Sequence, residues 1–147
     1  MSRASIAIVE QLIDAIANSD AEKLLITLAD DVTWTFFGSH RFAGTFRGKD
    51  ELMNGLFAVI GDVLEDGIKL HVSSIVGDGG RVIVEGKGQA RSKAGLDYNN
   101  DYCLAFDIAA GKIAHVREYL DSELVTKVFG RGQASKGLAP QSLGSRR

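Results

Sequence analysis

Apolar residues in the first part of the chain recur at helical spacing. Ile6, Val9, Ile13 and Ile16 follow one another at intervals of 3, 4 and 3, and Ile8 and Leu12 widen the same face. That is the period of an amphipathic helix. Asn18-Ser19-Asp20 ends it, and Ser19 with Glu22 three residues on has capping-box spacing, which predicts a second helix through Ala29. Val32 to Phe37 is β-branched and aromatic and predicts a strand; Phe42 to Arg47 predicts a shorter strand or loop closed by Gly48. Asp50 is placed to cap a third helix, with Leu52, Met53, Leu56, Phe57, Ile60, Val63 and Leu64 on its buried side and an end near Gly67.

The second half changes period. Strands are predicted at 68–76, 81–91, 98–108 and 112–120, separated by Gly77-Asp78-Gly79-Gly80, Lys93-Ala94-Gly95 and Ala109-Ala110-Gly111. Asp121 or Ser122 then caps a short last helix through Phe129. Helices followed by an antiparallel meander predict an α+β domain, with the helices gathered on one face of a curved sheet. No internal repeat occurs.

Composition narrows the class. The 147 residues are 45% apolar with one cysteine and one proline, enough for one domain with a core that needs no disulfide. Glu10 and Asp14 break the N-terminal apolar stretch, and Asn54, Gly55, Gly61 and Asp62 break the segment from Leu52 to Leu64. The expectation is a chain without signal peptide or membrane span, located in the cytoplasm. From Gly130 onward the chain has four basic residues, Arg131, Lys136, Arg146 and Arg147, and no acidic ones, whereas residues 1–129 carry 13 Lys+Arg against 19 Asp+Glu. An acidic body argues against nucleic acid as a partner. The Gly- and Ser-rich end has too little apolar area to order itself, so the reading is a domain over 1–129 and a flexible tail over 130–147.

Short catalytic signatures are missing. Gly86-Lys87-Gly88 and Gly130-Arg131-Gly132 do not lead into helices, and His40, His71 and His115 lack metal-ligand spacing, so no metal or cofactor is expected. Cys103 falls in an apolar strand, where burial is its ordinary role. The unusual feature is polarity on faces that should be apolar. Tyr98, Asn100 and Tyr102 precede Leu104 and Phe106 on one face of strand 98–108, and Glu118 lies between Val116 and Leu120 on strand 112–120. A carboxylate facing helices from such a strand is desolvated and becomes a candidate general acid or base. The other reading pairs Glu118 with Arg117, Lys87 or Arg91 at the sheet surface.

The strings AGTFRGKDEL (43–52), YNNDYCLAFDIAAGKI (98–113) and REYLDS (117–122) resemble the SnoaL-like proteins of the nuclear-transport-factor-2-like superfamily. That superfamily includes ketosteroid isomerases, limonene-epoxide hydrolases, polyketide cyclases and scytalone dehydratases. The resemblance covers about residues 5 to 129. It implies a cone-shaped domain in which about three N-terminal helices and a short C-terminal helix close over a curved antiparallel or mixed sheet around a pocket, and homodimerisation through the outer sheet face.

Carried over residue by residue, the resemblance removes two activities. The ketosteroid isomerase base falls at Phe36, its tyrosine at Leu12, and its protonated aspartate near Tyr102 or Asp101. The limonene-epoxide hydrolase Arg falls at Glu85, its Asp partner at Lys87, the other Asp at Glu118, and the water-positioning Tyr and Asn at Trp34 and Phe36. Neither set is complete. The expected site is therefore Glu118 as proton carrier with Tyr102 and Asn100 polarising a substrate oxygen. Trp34, Phe36, Glu85, Lys87, His71 and Val116 would contribute to binding. The expected ligand is a small apolar, cyclic or polyketide-like metabolite. A non-catalytic binding or dimerisation domain is the alternative.

Overall fold

The computed structural model describes residues 2–131; the tail predicted over 130–147 lies almost wholly outside them. The chain opens with α1 (Ser2–Ala17) and α2 (Ala21–Thr27), then β1 (Leu28–Phe36) and β2 (Gly44–Arg47). One helical passage follows, α3 (Gly48–Leu52), a π-helical turn (Met53–Phe57) and α4 (Ala58–Val63). Strands β3 (Lys69–Asp78), β4 (Arg81–Gln89), β5 (Asp101–Ala109) and β6 (Lys112–Leu120) lead to α5 (Ser122–Phe129).

The strands form one curved six-stranded sheet in the order β2-β1-β6-β5-β4-β3. It is mixed rather than purely antiparallel, because β1 runs parallel to β6 while every other pair is antiparallel. The helix-bearing crossover between β1 and β6 allows that parallel pair. The long hairpins close on two-residue turns. Ala110 and Gly111 both adopt positive φ, 52° and 75°, which matches the right-handed twist of the strands they join.

Several boundaries differ from the sequence reading: α2 ends at Thr27 and β1 begins at Leu28, not Val32, and three others differ for identifiable reasons. Ser19 does not cap α2. It sits at φ 52° in the turn that ends α1, and Asp20 is the cap, accepting from Lys23 N at 3.1 Å. Asp50 lies inside the first turn of α3 rather than before it. Strand β5 begins at Asp101 instead of Tyr98, because Asn99 Oδ1 takes the Ala90 N–H and Asn100 Oδ1 takes the Asp101 N–H. Side chains there replace ladder bonds.

The core lies between the helices and the concave face of the sheet. Val9 and Leu12 of α1, Leu52 and Leu56 of the interrupted helix, and Val82, Val84, Phe106 and Val116 of the sheet are all at most 1% exposed. The outer face carries ion pairs beside an exposed Phe37–Tyr119 stack. Asp107 binds Arg81 at 2.8 Å and Arg117 at 3.0 Å, which holds its carboxyl below the usual carboxylate range. Among the described residues no helix is long and apolar enough to cross a membrane.

Candidate functional site

Residue parity on β6 decides the site. Val116, Glu118 and Leu120 point inward, and His115, Arg117 and Tyr119 outward. Glu118 therefore enters the concave side between Phe36 of β1 and Leu104 of β5, its register partners on either side. Only 7% of it is exposed. One polar side chain from the neighbouring strand reaches it: Trp34 Nε1 donates to Glu118 Oε1 at 2.8 Å. Burial pushes the carboxyl up to about 7, with the indole bond pulling the other way. Near neutrality such a group is present in both protonation states, so it can take a proton and return it.

A cavity of about 70 Å³ opens beside it, several times the ~10–15 Å³ that one water needs. Counting its mouth, the atom-free space is about 690 Å³. Ile13 and Ile16 of α1 form one wall, Leu56, Phe57 and Ile60 another, and the inward side chains of the sheet the floor. Rings close the end towards α5. Phe129 sits edge-on to both Phe42 and Tyr98, with centroids 5.2 and 5.0 Å away, and Arg41 Nη1 anchors the Phe129 carbonyl at 2.7 Å. Phe57 packs edge-on against Trp34 at 5.7 Å, which fixes the indole that holds Glu118.

The second polar feature is Tyr102. Its hydroxyl is buried and makes no hydrogen bond of ordinary geometry among the described residues, the Tyr98 hydroxyl being its polar neighbour. Burial raises its pKa well above the ordinary phenol value, and the Tyr98 hydroxyl and Glu118 add to the rise. Tyr98 is likewise pushed up to about 12, chiefly by burial. Both phenols stay protonated, and the Tyr102 O–H, beside Tyr98 but in no well-formed bond, is a donor open to an acceptor in the cavity.

The other candidates separate cleanly. Trp34 and Phe36 line the cavity with Glu118 and Tyr102. Asn100 is fully buried but spent: Nδ2 donates to the Tyr98 hydroxyl and the Asp121 carbonyl, and Oδ1 accepts from Asp101 N and Asp121 N. It cannot also polarise a substrate. Val116 lies in the core, outside the cavity wall. Glu85, Lys87 and His71 are exposed on the opposite side of their strands, since Val82, Val84 and Gly88 take the inward positions of β4. Lys87 pairs there with Asp101 at 3.2 Å and His71 Nε2 with Gln89 Oε1 at 2.8 Å. The expected convergence of Glu85 and Lys87 on Glu118 does not occur. His40 braces the loop before β2, bonding to the Phe37 carbonyl and the Phe42 N–H. Cavity residues the sequence reading did not assign to the site include Tyr98, Phe57, Ile60 and Phe129. The apolar face of the third predicted helix was the only signal for two of them.

Among the described residues no cluster of three or more His, Cys, Asp or Glu is arranged to hold a metal ion.

Comparison with known proteins bears on the fold. An NTF2-like protein from Burkholderia xenovorans is 25% identical, with a TM-score of 0.72, over 88% of this chain and 98% of that one. TerC, solved with polyporic acid, is 21% identical at a TM-score of 0.75 over 86% and 98%. An LEH-like epoxide hydrolase from M. tuberculosis is 24% identical at 0.71 over 89% and 92%. No curated protein matches the chain. The family model described as the SnoaL-like domain matches residues 9–116, and the chain belongs to that family.

Proposed function

We propose that this protein is a cofactor-independent isomerase, cyclase or lyase acting on a small, neutral, cyclic or polyketide-like metabolite. The observation that carries the reading is a buried Glu118 carboxyl, poised near pH 7, sharing one apolar cavity with the unpartnered Tyr102 hydroxyl. In this mechanism the Glu118 carboxylate removes a proton from carbon next to a substrate carbonyl. The Tyr102 O–H donates to the oxygen as negative charge develops there. Glu118, now protonated, returns the proton at a second position or to a leaving group. Trp34 holds one carboxylate oxygen so that the other faces the substrate, and Phe36 supplies a flat wall for a ring. The helices act as the sides of a cone over the bent sheet.

TerC, of the same fold, was co-crystallised with polyporic acid, and the M. tuberculosis protein is named an LEH-like epoxide hydrolase. Their identities are low enough that they support the fold's suitability and not a substrate. We also read residues 1–129 as the functional domain, acting in the cytoplasm as a homodimer. The outer sheet face supports the dimer: Phe37 and Tyr119 stack there with centroids 4.7 Å apart, and both are exposed.

The test is proton exchange rather than a guessed product. Small cyclic ketones in deuterated buffer should gain deuterium next to the carbonyl with the wild type. Glu118→Gln should slow that exchange by about 10²–10⁴-fold while ketone affinity changes little. Wild-type exchange rates in the Gln variant would overturn the assignment and leave the cavity a binding site only.

A further inference from the structure

The cavity's charge inventory is one-sided. Among the described residues its lining holds one carboxyl, Glu118, and no lysine, arginine or histidine. The neighbouring cations are engaged elsewhere: Arg117 bonds Asp107 on the outer face, Lys87 pairs with Asp101 there, and Arg41 donates to the Phe129 carbonyl at the α5 end. An anionic ligand would sit unpaired beside a carboxylate in a water-poor space, which Coulomb's law penalises. A neutral ligand leaves that carboxylate without a counter-ion.

Aromatic rings are concentrated around the same group. Phe36 is Glu118's register partner on β1, Trp34 donates to it from the position two residues before, and Tyr102 lies one step along β5 from its other partner, Leu104. Ring faces attract cations, more strongly as water is excluded. We propose that the cavity binds hydrophobic ammonium ions, with the Glu118 carboxylate as counter-ion and the rings of Trp34, Phe36 and Tyr102 as the surrounding cage. Such ions compete with the neutral metabolite for the space. The inference rests on the same cavity and carboxylate as the proposed function.

The pH dependence follows from one group. The elements packed around Glu118 present Leu12, Ile13 and Ile16 from α1, Leu56 and Phe57 from the helical passage, and Phe129 from α5, none of which titrates. The titratable groups facing it are the Tyr98 and Tyr102 phenols, both held protonated through the neutral range. The cation requires ionised Glu118 and is lost as that group takes a proton.

Trp34 is the only tryptophan in the chain, so its fluorescence reports occupancy directly. Benzyltrimethylammonium and its neutral carbon isostere, neopentylbenzene, are titrated into the wild type at pH 5 and pH 8, with calorimetry as a second readout. At pH 8 the cation should bind at least tenfold tighter than the isostere. With Glu118 at about 7, its Kd should weaken about ninety-fold from pH 8 to pH 5, while the isostere varies by less than about threefold. Glu118→Gln should abolish the pH dependence and the cation preference yet still bind the isostere, which shows that the variant is folded. Equal affinity for cation and isostere at pH 8, or a cation Kd flat from pH 5 to 8, overturns the proposal. The two readings fail separately. Loss of cation selectivity with Glu118-dependent exchange intact removes only this one, and selective cation binding without any exchange removes only the enzymatic one.

Discussion

Glu118→Gln should make the protein more stable, and only at higher pH. The folded-state pKa of about 7 lies above the ordinary 4.5 because the carboxyl is buried. At pH 4 the group is protonated in both folded and unfolded states and contributes no pH-dependent difference. Between about 4.5 and 7 the unfolded chain ionises first, so stability falls as pH rises. Above about 7 the folded protein carries the charge too and the cost is constant, about 3 kcal/mol at 1.36 kcal/mol per pH unit. Glutamine keeps the shape and an oxygen that accepts from Trp34 Nε1, now 2.8 Å from Glu118 Oε1, but has no charge to desolvate. At pH 4 the variant and wild type should unfold alike. At pH 8 the variant should gain about 3 kcal/mol in urea denaturation, or roughly 6–12 °C in Tm. Comparing the two proteins at each pH cancels every other titrating group. A stability difference that is the same at pH 4 and pH 8, or a variant weaker at pH 8, would refute the buried, unpaired carboxylate.

Three further outcomes test the surroundings of that group. Trp34→Phe removes the indole N–H, a bond to a charged acceptor of about 1.5–3 kcal/mol, so the Glu118 pKa should rise by about one unit or more; carboxyl infrared difference spectra against pH measure it. Tyr102→Phe deletes a hydroxyl that bonds to nothing in the described structure, so stability should change by less than about 1 kcal/mol while ketone exchange falls at least tenfold. Asn100→Ala strands the Tyr98 hydroxyl and the Asp101 and Asp121 N–H groups, costing about 2–4 kcal/mol. Urea denaturation measures the loss, and amide exchange at the start of α5 should quicken.

Elements with a strict local signal were legible in the sequence. The β6 boundaries, the Asp121 cap of α5 and the inward parity of Glu118 all follow from short-range alternation and cap chemistry. Strand β4 defeated the same logic, because Val82-Ile83-Val84 is apolar on both faces and hides which side is inward. The family resemblance alone placed Glu85 and Lys87 in the pocket, and they lie outside it. The helical wall was legible as an apolar face, Leu56, Phe57 and Ile60 falling on the predicted buried side, but the π-helical turn at Met53–Phe57, which carries Phe57 against Trp34, has no 3.6-residue signal. Ser19 carried a capping-box pattern, but the left-handed turn ending α1 claimed it first, a tertiary need that no i, i+3 spacing reports.

The pairing of charges across the sheet separates structural from chemical roles. Outside, Arg81, Arg117, Lys87 and their aspartates are bonded to one another in water's reach, and each such pair contributes little to stability. Inside, among the described residues, Glu118 has one hydrogen bond from an indole and no cation. A fold needing only a filled position there would be better served by leucine, and one needing only an acceptor for Trp34 by glutamine. Neither would carry the cost of about 3 kcal/mol that the carboxylate imposes above pH 7. What a carboxyl does that those two cannot is change its charge, by moving a proton or by balancing a bound cation. Both proposals for this cavity rest on that difference, and glutamine at position 118 removes it while leaving the shape intact.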